Sequence, residues 1–201
     1  MRTIALIICA LVITGGVVWI ALAGHNNNLT SPQTGAEISA SDSLHQPITN
    51  PRIVVIKSKR RLMLYSGDKL WRTYRVGLGF SPVKDKVKEG DGATPEGEFY
   101  IFTKNPESAY YLSLGISYPN AEDAQRGLRA RLINKEQYLQ IVEAIENRAM
   151  PPQDTPLGGQ IYIHGEGSHK DWTWGCVALD NKDMKELFDA VPIGTKVIIK
   201  H

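Results

Sequence analysis

The hydrophobic and polar positions divide the chain into three stretches of different character. Residues 3–23 contain no charged residue and no proline, and most of them are Ile, Val, Leu or Ala. Residues 24–50 are rich in Asn, Ser and Thr and show no hydrophobic period, which is typical of an unfolded linker. The remaining residues carry strand-like and helix-like patterns. The chain is therefore predicted to contain a hydrophobic segment over 1–23, a flexible linker over 24–50 and one folded domain over 51–201.

The hydrophobic segment is predicted to be a transmembrane anchor or a signal peptide. A helix of this length covers the hydrocarbon core of a bilayer, which is about 30 Å thick. Residues 21–23 (Ala-Leu-Ala) instead have the small side chains of a signal-peptide cleavage site. Arg2 precedes the segment and the next basic residue is Arg52, so the positive-inside rule directs the rest of the chain outward. Both alternatives place the domain in the periplasm or cell envelope, anchored in the inner membrane or secreted.

The first half of the domain is predicted to consist mainly of strands. A Ser-Gly-Asp turn between two alternating segments indicates a hairpin. The charged stretch 84–92 is typical of a solvated loop, and residues 94–97 (Thr-Pro-Glu-Gly) have the signature of a type I turn. Strands are expected at residues 53–56, 61–65, 70–79 and 98–102.

The second half of the domain is predicted to contain helices. Asn120 can begin a short helix that ends near Gly127, Asn134 with Gln137 forms a capping-box pattern, and Asn181 is expected to cap the last helix. Apolar residues recur at helical spacing after the last two caps and are interpreted as core: Tyr138, Ile141, Val142, Ile145, Met184, Leu187, Phe188 and Val191. Further strands are expected at 160–163 and 196–200. The predicted fold class is α+β, mostly β, with two or three helices.

Composition and charge exclude several classes of protein. The chain has 42% hydrophobic and 22% charged residues, which is ordinary for a globular protein and excludes a fibrous or wholly disordered chain. The net charge of +2 provides no electrostatic footprint for nucleic acid. With two cysteines, Cys9 in the hydrophobic segment and Cys176 in the domain, a disulfide scaffold is not expected.

Candidate chemistry is concentrated between His164 and Cys176. His164 follows an apolar stretch and precedes Gly165, while Cys176 follows Gly175 at the start of another apolar run. A free thiol has a pKa of about 8.5 and is mostly protonated at pH 7. A histidine within hydrogen-bond reach can remove its proton, and a glycine before the nucleophile allows backbone N–H groups to face a developing oxyanion. The spacing therefore allows nucleophilic catalysis by a Cys–His pair, as one of three interpretations of these residues.

Two other interpretations stay open from the residues alone. A cysteine among Val, Ala and Leu is often a packing residue, and a histidine after a strand often has only a structural role. A zinc site would use His164, His169 and Cys176 with Asp171, although this spacing matches no common zinc motif and contains no cysteine pair.

The segment that contains both residues resembles a known family signature. His164-Gly165, followed by Thr-Trp-Gly-Cys-Val-Ala-Leu at 173–179, is similar to the signature of the L,D-transpeptidase catalytic domain family (YkuD type). There, a strand ending in Ile-His-Gly precedes Ser or Thr, any residue, Gly, Cys and then Ile or Val. The resemblance extends to residues 90–97 and to the last helix, so it covers nearly all of 51–201. It implies a mostly β catalytic domain that needs neither a metal nor an organic cofactor.

The resemblance also implies a role for each matching residue. Cys176 matches the nucleophile and His164 the general base. The carbonyl group of Gly165 matches the group that holds the imidazole in the correct tautomer. The N–H groups of Gly175 and Cys176 match the oxyanion hole.

Thr173 and Trp174 are the candidate substrate-binding residues, and here the chain departs from the family pattern. The position of Trp174 is often His in the family. Ala178 stands where an Arg commonly meets a substrate carboxylate, and His164 and Cys176 are closer in sequence than in many members.

The implied reaction is acyl transfer on peptidoglycan stem peptides. In the family the thiol attacks the carbonyl of the third residue, D-alanine leaves, and an amine of another stem resolves the thioester. The resemblance therefore implies a role in cell-wall cross-linking or remodelling. Two alternatives remain: a hydrolytic L,D-carboxypeptidase or endopeptidase with the same Cys–His pair, and a catalytically inactive wall-binding module. Nucleic acid is not an expected partner.

Overall fold

A computed structural model of the protein describes residues 48–201. The predicted hydrophobic segment and all but the last three residues of the predicted linker lie outside the described residues. Within residues 48–201, no helix is long and apolar enough to cross a membrane.

The described residues form one curled sheet and three helices. The eight strands of residues 48–201 lie in the order β3-β2-β1-β8-β4-β5-β6-β7, and only the pairs β1–β8 and β6–β7 are parallel. The strands are β1 (Pro51–Ile56), β2 (Arg61–Ser66), β3 (Lys69–Arg75), β4 (Gly97–Ser108), β5 (Tyr111–Ile116), β6 (Tyr162–His164), β7 (Val177–Ala178) and β8 (Lys196–Lys200). The helices are α1 (Ala121–Arg129), α2 (Lys135–Glu146) and α3 (Asn181–Ala190). The predicted α+β, mostly β fold class is confirmed.

Two of the three predicted caps are confirmed. Asn120 and Asn134 each accept a hydrogen bond from the backbone N–H three residues later and so begin α1 and α2 with a capping box. The Asn181 cap is wrong, because Asp180 holds the N-cap position and Asn181 is the first residue of α3. The Oδ1 of Asn181 instead accepts a hydrogen bond from the Glu166 N–H at 2.8 Å, which ties α3 to the loop after β6.

The predicted turn at residues 94–97 is wrong. Thr94 is completely buried, its Oγ1 accepts from the Gly79 N–H at 2.9 Å, and its carbonyl accepts from the Lys57 Nζ at 2.8 Å. These distant partners keep the chain extended where its local sequence favours a turn. The Lys57 ammonium, itself fully buried, also donates to the Lys84 carbonyl at 2.7 Å and pairs with Glu96 at 2.9 Å.

The predicted and observed strand boundaries differ most in the part of the sheet formed by β4, β5 and β6. The strand predicted over 98–102 is β4, which runs on to Ser108 and pairs with β5, a strand that the sequence analysis does not predict. β5 contains Ser113 and Gly115, which weaken its hydrophobic alternation, yet its residues are almost all buried because β4 and β6 flank it. The strand predicted at 160–163 is β6, which ends on His164.

A glycine after β3 lets the curled sheet close on itself. Gly77 exchanges two backbone hydrogen bonds with Ala178 of β7, at 2.9 and 2.8 Å. A Cβ at Gly77 would lie 2.2 Å from the Lys170 carbonyl oxygen, so only glycine fits this approach. The core inside the sheet also receives Met184 and Leu187 of α3, as their helical spacing predicts.

Candidate active site

The parallel pair β6–β7 places His164 and Cys176 on one face of the sheet. Ile163 pairs with Val177 and His164 with Ala178, so Cys176 lies in register beside Tyr162. Alternate residues of a strand point to the same face, so the side chain of His164 lies on the face that Tyr162 also occupies. The two predicted catalytic residues thus lie on one face of this short parallel pair, two positions apart along the strand direction.

Both side chains open on the same cavity. The cavity has a volume of about 1050 Å³, and its walls include Lys86, Tyr110, Gln160, Trp172 and Trp174 besides His164 and Cys176. This volume is large enough for a peptide of several residues.

The orientation of His164 leaves its Nε2 as the basic atom. The Nδ1 lies 2.7 Å from the Gly165 carbonyl oxygen, and because a carbonyl can only accept, Nδ1 carries the proton. The ring packs against Tyr110 at 4.8 Å and Trp172 at 5.6 Å between centroids and is 3% exposed. This burial lowers the pKa of His164, against the opposing effects of the Gly165 hydrogen bond and the Glu166 charge, so the imidazole is neutral at pH 7.

The surroundings of Cys176 favour the protonated thiol. Its Sγ donates to the Gln160 carbonyl at 3.5 Å and accepts from the Tyr162 N–H at 3.4 Å. Burial raises the pKa of Cys176 to about 11, while the Tyr162 N–H and the charge of Lys86 lower it. Among the described residues, Sγ makes no hydrogen bond to the His164 ring. The resting pair is therefore a neutral thiol and a neutral imidazole.

The turn before β7 leaves one backbone donor at Cys176 without a partner among the described residues. Gly175 has φ of +131°, and its N–H donates to the Thr173 Oγ1 at 3.2 Å. The same hydroxyl donates to the Cys176 carbonyl at 2.7 Å. Within residues 48–201 the Cys176 N–H makes no hydrogen bond, so of the two predicted oxyanion donors it is the one left free.

The two predicted substrate-binding residues occupy different environments. Trp174 is 69% exposed on the cavity rim, and its ring meets Phe80 edge-on at 4.8 Å. Thr173 is 4% exposed and braces the turn through the two hydrogen bonds of its hydroxyl. Ala178 is fully buried and bridged to Gly77, so it contributes no group to the cavity.

The family of the chain follows from a sequence comparison. The YkuD family model, described as the L,D-transpeptidase catalytic domain, matches residues 50–199. The chain belongs to this family. The resemblance drawn from residues 164–179 is thereby confirmed at the level of the family.

Individual relatives of this L,D-transpeptidase family domain are distant. A Bacillus licheniformis protein provisionally named L,D-transpeptidase YkuD is 28% identical over 82% of this chain and 78% of its own length. An Escherichia coli protein provisionally named L,D-transpeptidase YafK is 29% identical over 95% of this chain and 64% of its own length. Among solved structures, a mutant of the helical cell shape determining protein Pgp2 from Campylobacter jejuni has 23% identity and a TM-score of 0.49, covering 80% of this chain and 52% of that one. The chain thus spans about half to three quarters of the length of these proteins.

The residues considered for zinc do not assemble in this family member. Within residues 48–201, no three His, Cys, Asp or Glu side chains are placed to hold a metal ion. Asp171 pairs with Arg60 at 2.8 Å and accepts from the Leu78 N–H at 3.0 Å. The Asp171 carboxylate, which the zinc interpretation requires as a ligand, is therefore engaged by Arg60 and Leu78.

The sequence analysis misses Lys86 as a site residue. Residues 84–92 are predicted to be a solvated loop, yet Lys86 is 3% exposed and lines the cavity. Asp91 organises this loop by accepting from the N–H groups of Val87, Lys88 and Ala93 at 2.7, 2.9 and 3.1 Å. The position of Asp91 between two glycines is the sequence signal for such a carboxylate-centred turn.

A Gly175→Ala substitution is expected to destabilise the fold by about 3 kcal/mol, because it adds strain at positive φ to a steric clash. The new Cβ would lie 2.7 Å from the Ala93 carbonyl oxygen. Urea unfolding of the two proteins measures the difference in the free energy of unfolding. Gly67→Ala is the matched control, since Gly67 also has positive φ but a Cβ added there would meet no other atom within 4 Å; about 1 kcal/mol is expected for it. Equal losses for both variants would contradict the steric argument.

Proposed function

We propose that the chain is a cysteine acyltransferase that acts on peptidoglycan stem peptides, with Cys176 as nucleophile and His164 as general base. The observation that carries the proposal is the hydrogen bond from His164 Nδ1 to the Gly165 carbonyl, at 2.7 Å. It orients the imidazole so that the basic Nε2 is available in the cavity that also holds the Cys176 thiol. Family membership supports the choice of reaction.

In the first step the thiol loses its proton to His164 at the same time as its sulfur attacks the substrate. With the pKa of Cys176 raised to about 11 and that of His164 lowered, a thiolate–imidazolium pair is not favoured at rest. A change of the Cys176 rotamer would move Sγ from the Gln160 carbonyl towards Nε2. The Nε2 then takes the thiol proton while sulfur bonds to the carbonyl carbon of the third stem residue, and the carbonyl oxygen becomes an oxyanion.

In the next steps the oxyanion collapses and the thioester is resolved. The free Cys176 N–H is a donor for the oxyanion, and the Gly175 N–H would join it if it left the Thr173 hydroxyl. Collapse breaks the peptide bond, and the departing D-alanine amine takes the proton from the imidazolium. An acceptor amine then attacks the thioester carbonyl carbon and gives a proton to His164. The C–S bond breaks as the new amide bond forms, and the imidazolium returns the proton to the Cys176 thiolate.

The proposal places the domain outside the cytoplasmic membrane, where peptidoglycan lies. The hydrophobic pattern of residues 3–23 supports export, either as a membrane anchor or as a cleaved signal. The chemistry itself supports a role in cell-wall cross-linking or remodelling.

A direct test is to incubate the full chain with a stem tetrapeptide and an acceptor stem, and to identify the products by mass spectrometry. Cross-linked dimers together with an acyl-protein adduct on Cys176 are the expected result. Tripeptide alone would indicate that water resolves the thioester, as in a carboxypeptidase. No product and no adduct would contradict the enzymatic proposal and favour a binding module.

A further inference from the structure

A buried ammonium group lies in the wall of the cavity. Lys86 is 3% exposed and lines the cavity together with Cys176 and His164. Its Nζ donates to the Lys88 carbonyl and to Asp91 Oδ1, both at 3.0 Å. A lysine ammonium has three donors, so within the described residues one N–H of Lys86 is left without a protein acceptor.

At the cavity wall Lys86 is paired with one carboxylate, that of Asp91. The Asp91 carboxylate that pairs with it also accepts three backbone N–H groups, which share its negative charge. Among the effects on the pKa of Cys176, the charge of Lys86 lowers it and opposes, without overcoming, the rise that burial causes. The ammonium therefore acts electrostatically at Cys176, and an anion bound there would be attracted to it.

The segment around Lys86 is held in place by neighbouring elements. Arg126 of α1 donates to Asp85 at 2.7 Å and to the Lys86 carbonyl at 3.3 Å. The Glu89 N–H donates to the Pro156 carbonyl at 3.0 Å. These bonds fix the backbone on both sides of Lys86, so the ammonium is preorganised at the cavity wall.

The other basic group that lines the cavity is directed elsewhere. Lys104 donates to the carbonyls of Phe188 and Val191, at the end of α3. Ala178, where the family pattern commonly has an Arg, is buried in the sheet. Among the described cavity residues, Lys86 is thus the cation available to a ligand.

We propose that Lys86 is the carboxylate-binding residue of the cavity and that it holds a carboxylate of the acyl-donor peptide beside Cys176. This inference rests on the proposed function for the identity of the peptide. The third residue of such a stem peptide is a diamino acid joined to a terminal D-alanine. The peptide carries a carboxylate at the D-alanine and can carry another on the diamino acid, and either could be the group that is bound.

The first test needs no substrate and compares two alkylating probes of the Cys176 thiol in the full chain, with modification of Cys176 followed separately from that of Cys9 by peptide mass. Iodoacetate carries a carboxylate and iodoacetamide does not, and each forms a bond to the Cys176 sulfur with loss of iodide. Lys86→Met is expected to lower the iodoacetate-to-iodoacetamide rate ratio about tenfold, the effect of losing one charge-assisted hydrogen bond. Lys86→Arg should retain most of the ratio. Lys84→Met, which removes an exposed charge from the same loop, should leave it unchanged.

The wild-type chain provides a readout even if Lys86→Met does not fold. Its rate ratio should exceed that of a short cysteine peptide without basic residues. A wild-type ratio equal to that of the peptide, or an unchanged ratio in folded Lys86→Met, would overturn the inference.

The second test identifies the carboxylate and separates this inference from the proposed function. Acyl transfer from a tetrapeptide is compared with transfer from its terminal amide and from its diamino-acid amide, each with wild type and Lys86→Met. Lys86→Met should raise KM for each donor that still carries the carboxylate bound by Lys86. The donor in which that carboxylate has been converted to an amide should have the same KM with both proteins. If acyl transfer is normal but Lys86→Met changes KM equally for all three donors, the inference about Lys86 is refuted and the proposed function stands. A changed alkylation ratio without any acyl transfer would refute the proposed function and leave Lys86 as a carboxylate site.

Discussion

Cys176→Ser should lower kcat/KM for acyl transfer at least about 10³-fold, because a hydroxyl is far less acidic and less nucleophilic than a thiol beside the same imidazole. Cys176→Ala should abolish the covalent adduct completely. Stem-peptide turnover and intact-protein mass of the full chain measure the two effects.

The fold is expected to tolerate both Cys176 substitutions. Cys176 is a partly exposed residue, and the hydrogen bonds of its thiol are the long contacts to Gln160 and Tyr162. The free energy of unfolding should therefore change by no more than about 1 kcal/mol, which separates lost chemistry from lost structure. Turnover that persists in well-folded Cys176→Ala would rule out this residue as the nucleophile.

His164→Gln is expected to lower kcat/KM by about 10²–10⁴-fold, the usual contribution of a positioned general base. In the wild type, the base must be neutral, so activity should fall as the pH drops through the pKa of His164. Burial lowers that pKa, so the fall should occur below about pH 6.5, the ordinary value for histidine. A pH profile of kcat/KM measures this acid limb.

The pH profile also distinguishes a catalytic His164 from a structural one. In His164→Gln the acid limb should disappear, and the residual rate should rise with pH towards the pKa of the Cys176 thiol, about 11. His169→Gln is the matched control, since His169 lies exposed on the loop that follows β6 and should keep the wild-type profile. An unchanged acid limb in His164→Gln would show that another group supplies it.

Local interactions explain the elements that could be predicted. The Asn120 and Asn134 caps each depend on a partner three residues away, and the β2–β3 hairpin depends on its two-residue turn at Gly67 and Asp68. The Gly175–Cys176 pair is likewise local, because the glycine supplies the positive φ that precedes the candidate cysteine. In each case the information lies within one turn or one loop of the chain.

Distant partners explain the elements that could not be predicted. Residues 94–97 stay extended because Gly79 and Lys57 bind Thr94, across 15 and 37 residues of sequence. β5 becomes a strand because β4 and β6 flank it. Asn181 holds the loop after β6 instead of capping its own helix.

Patterns in the amino-acid sequence were sufficient for the strand-rich class, for the helices α1 and α2, and for the candidates His164 and Cys176. Each of these predictions rests on a hydrophobic period, on a helix cap or on a short motif. Such features depend on steric contacts and hydrogen bonds between residues that are close in sequence. The folded chain was needed to show that His164 and Cys176 share one cavity and that Lys86 joins them there. Burial and charge at a site depend on segments far apart in sequence: Lys86 reaches the cavity wall because Arg126 and Asp91 fold its loop inward.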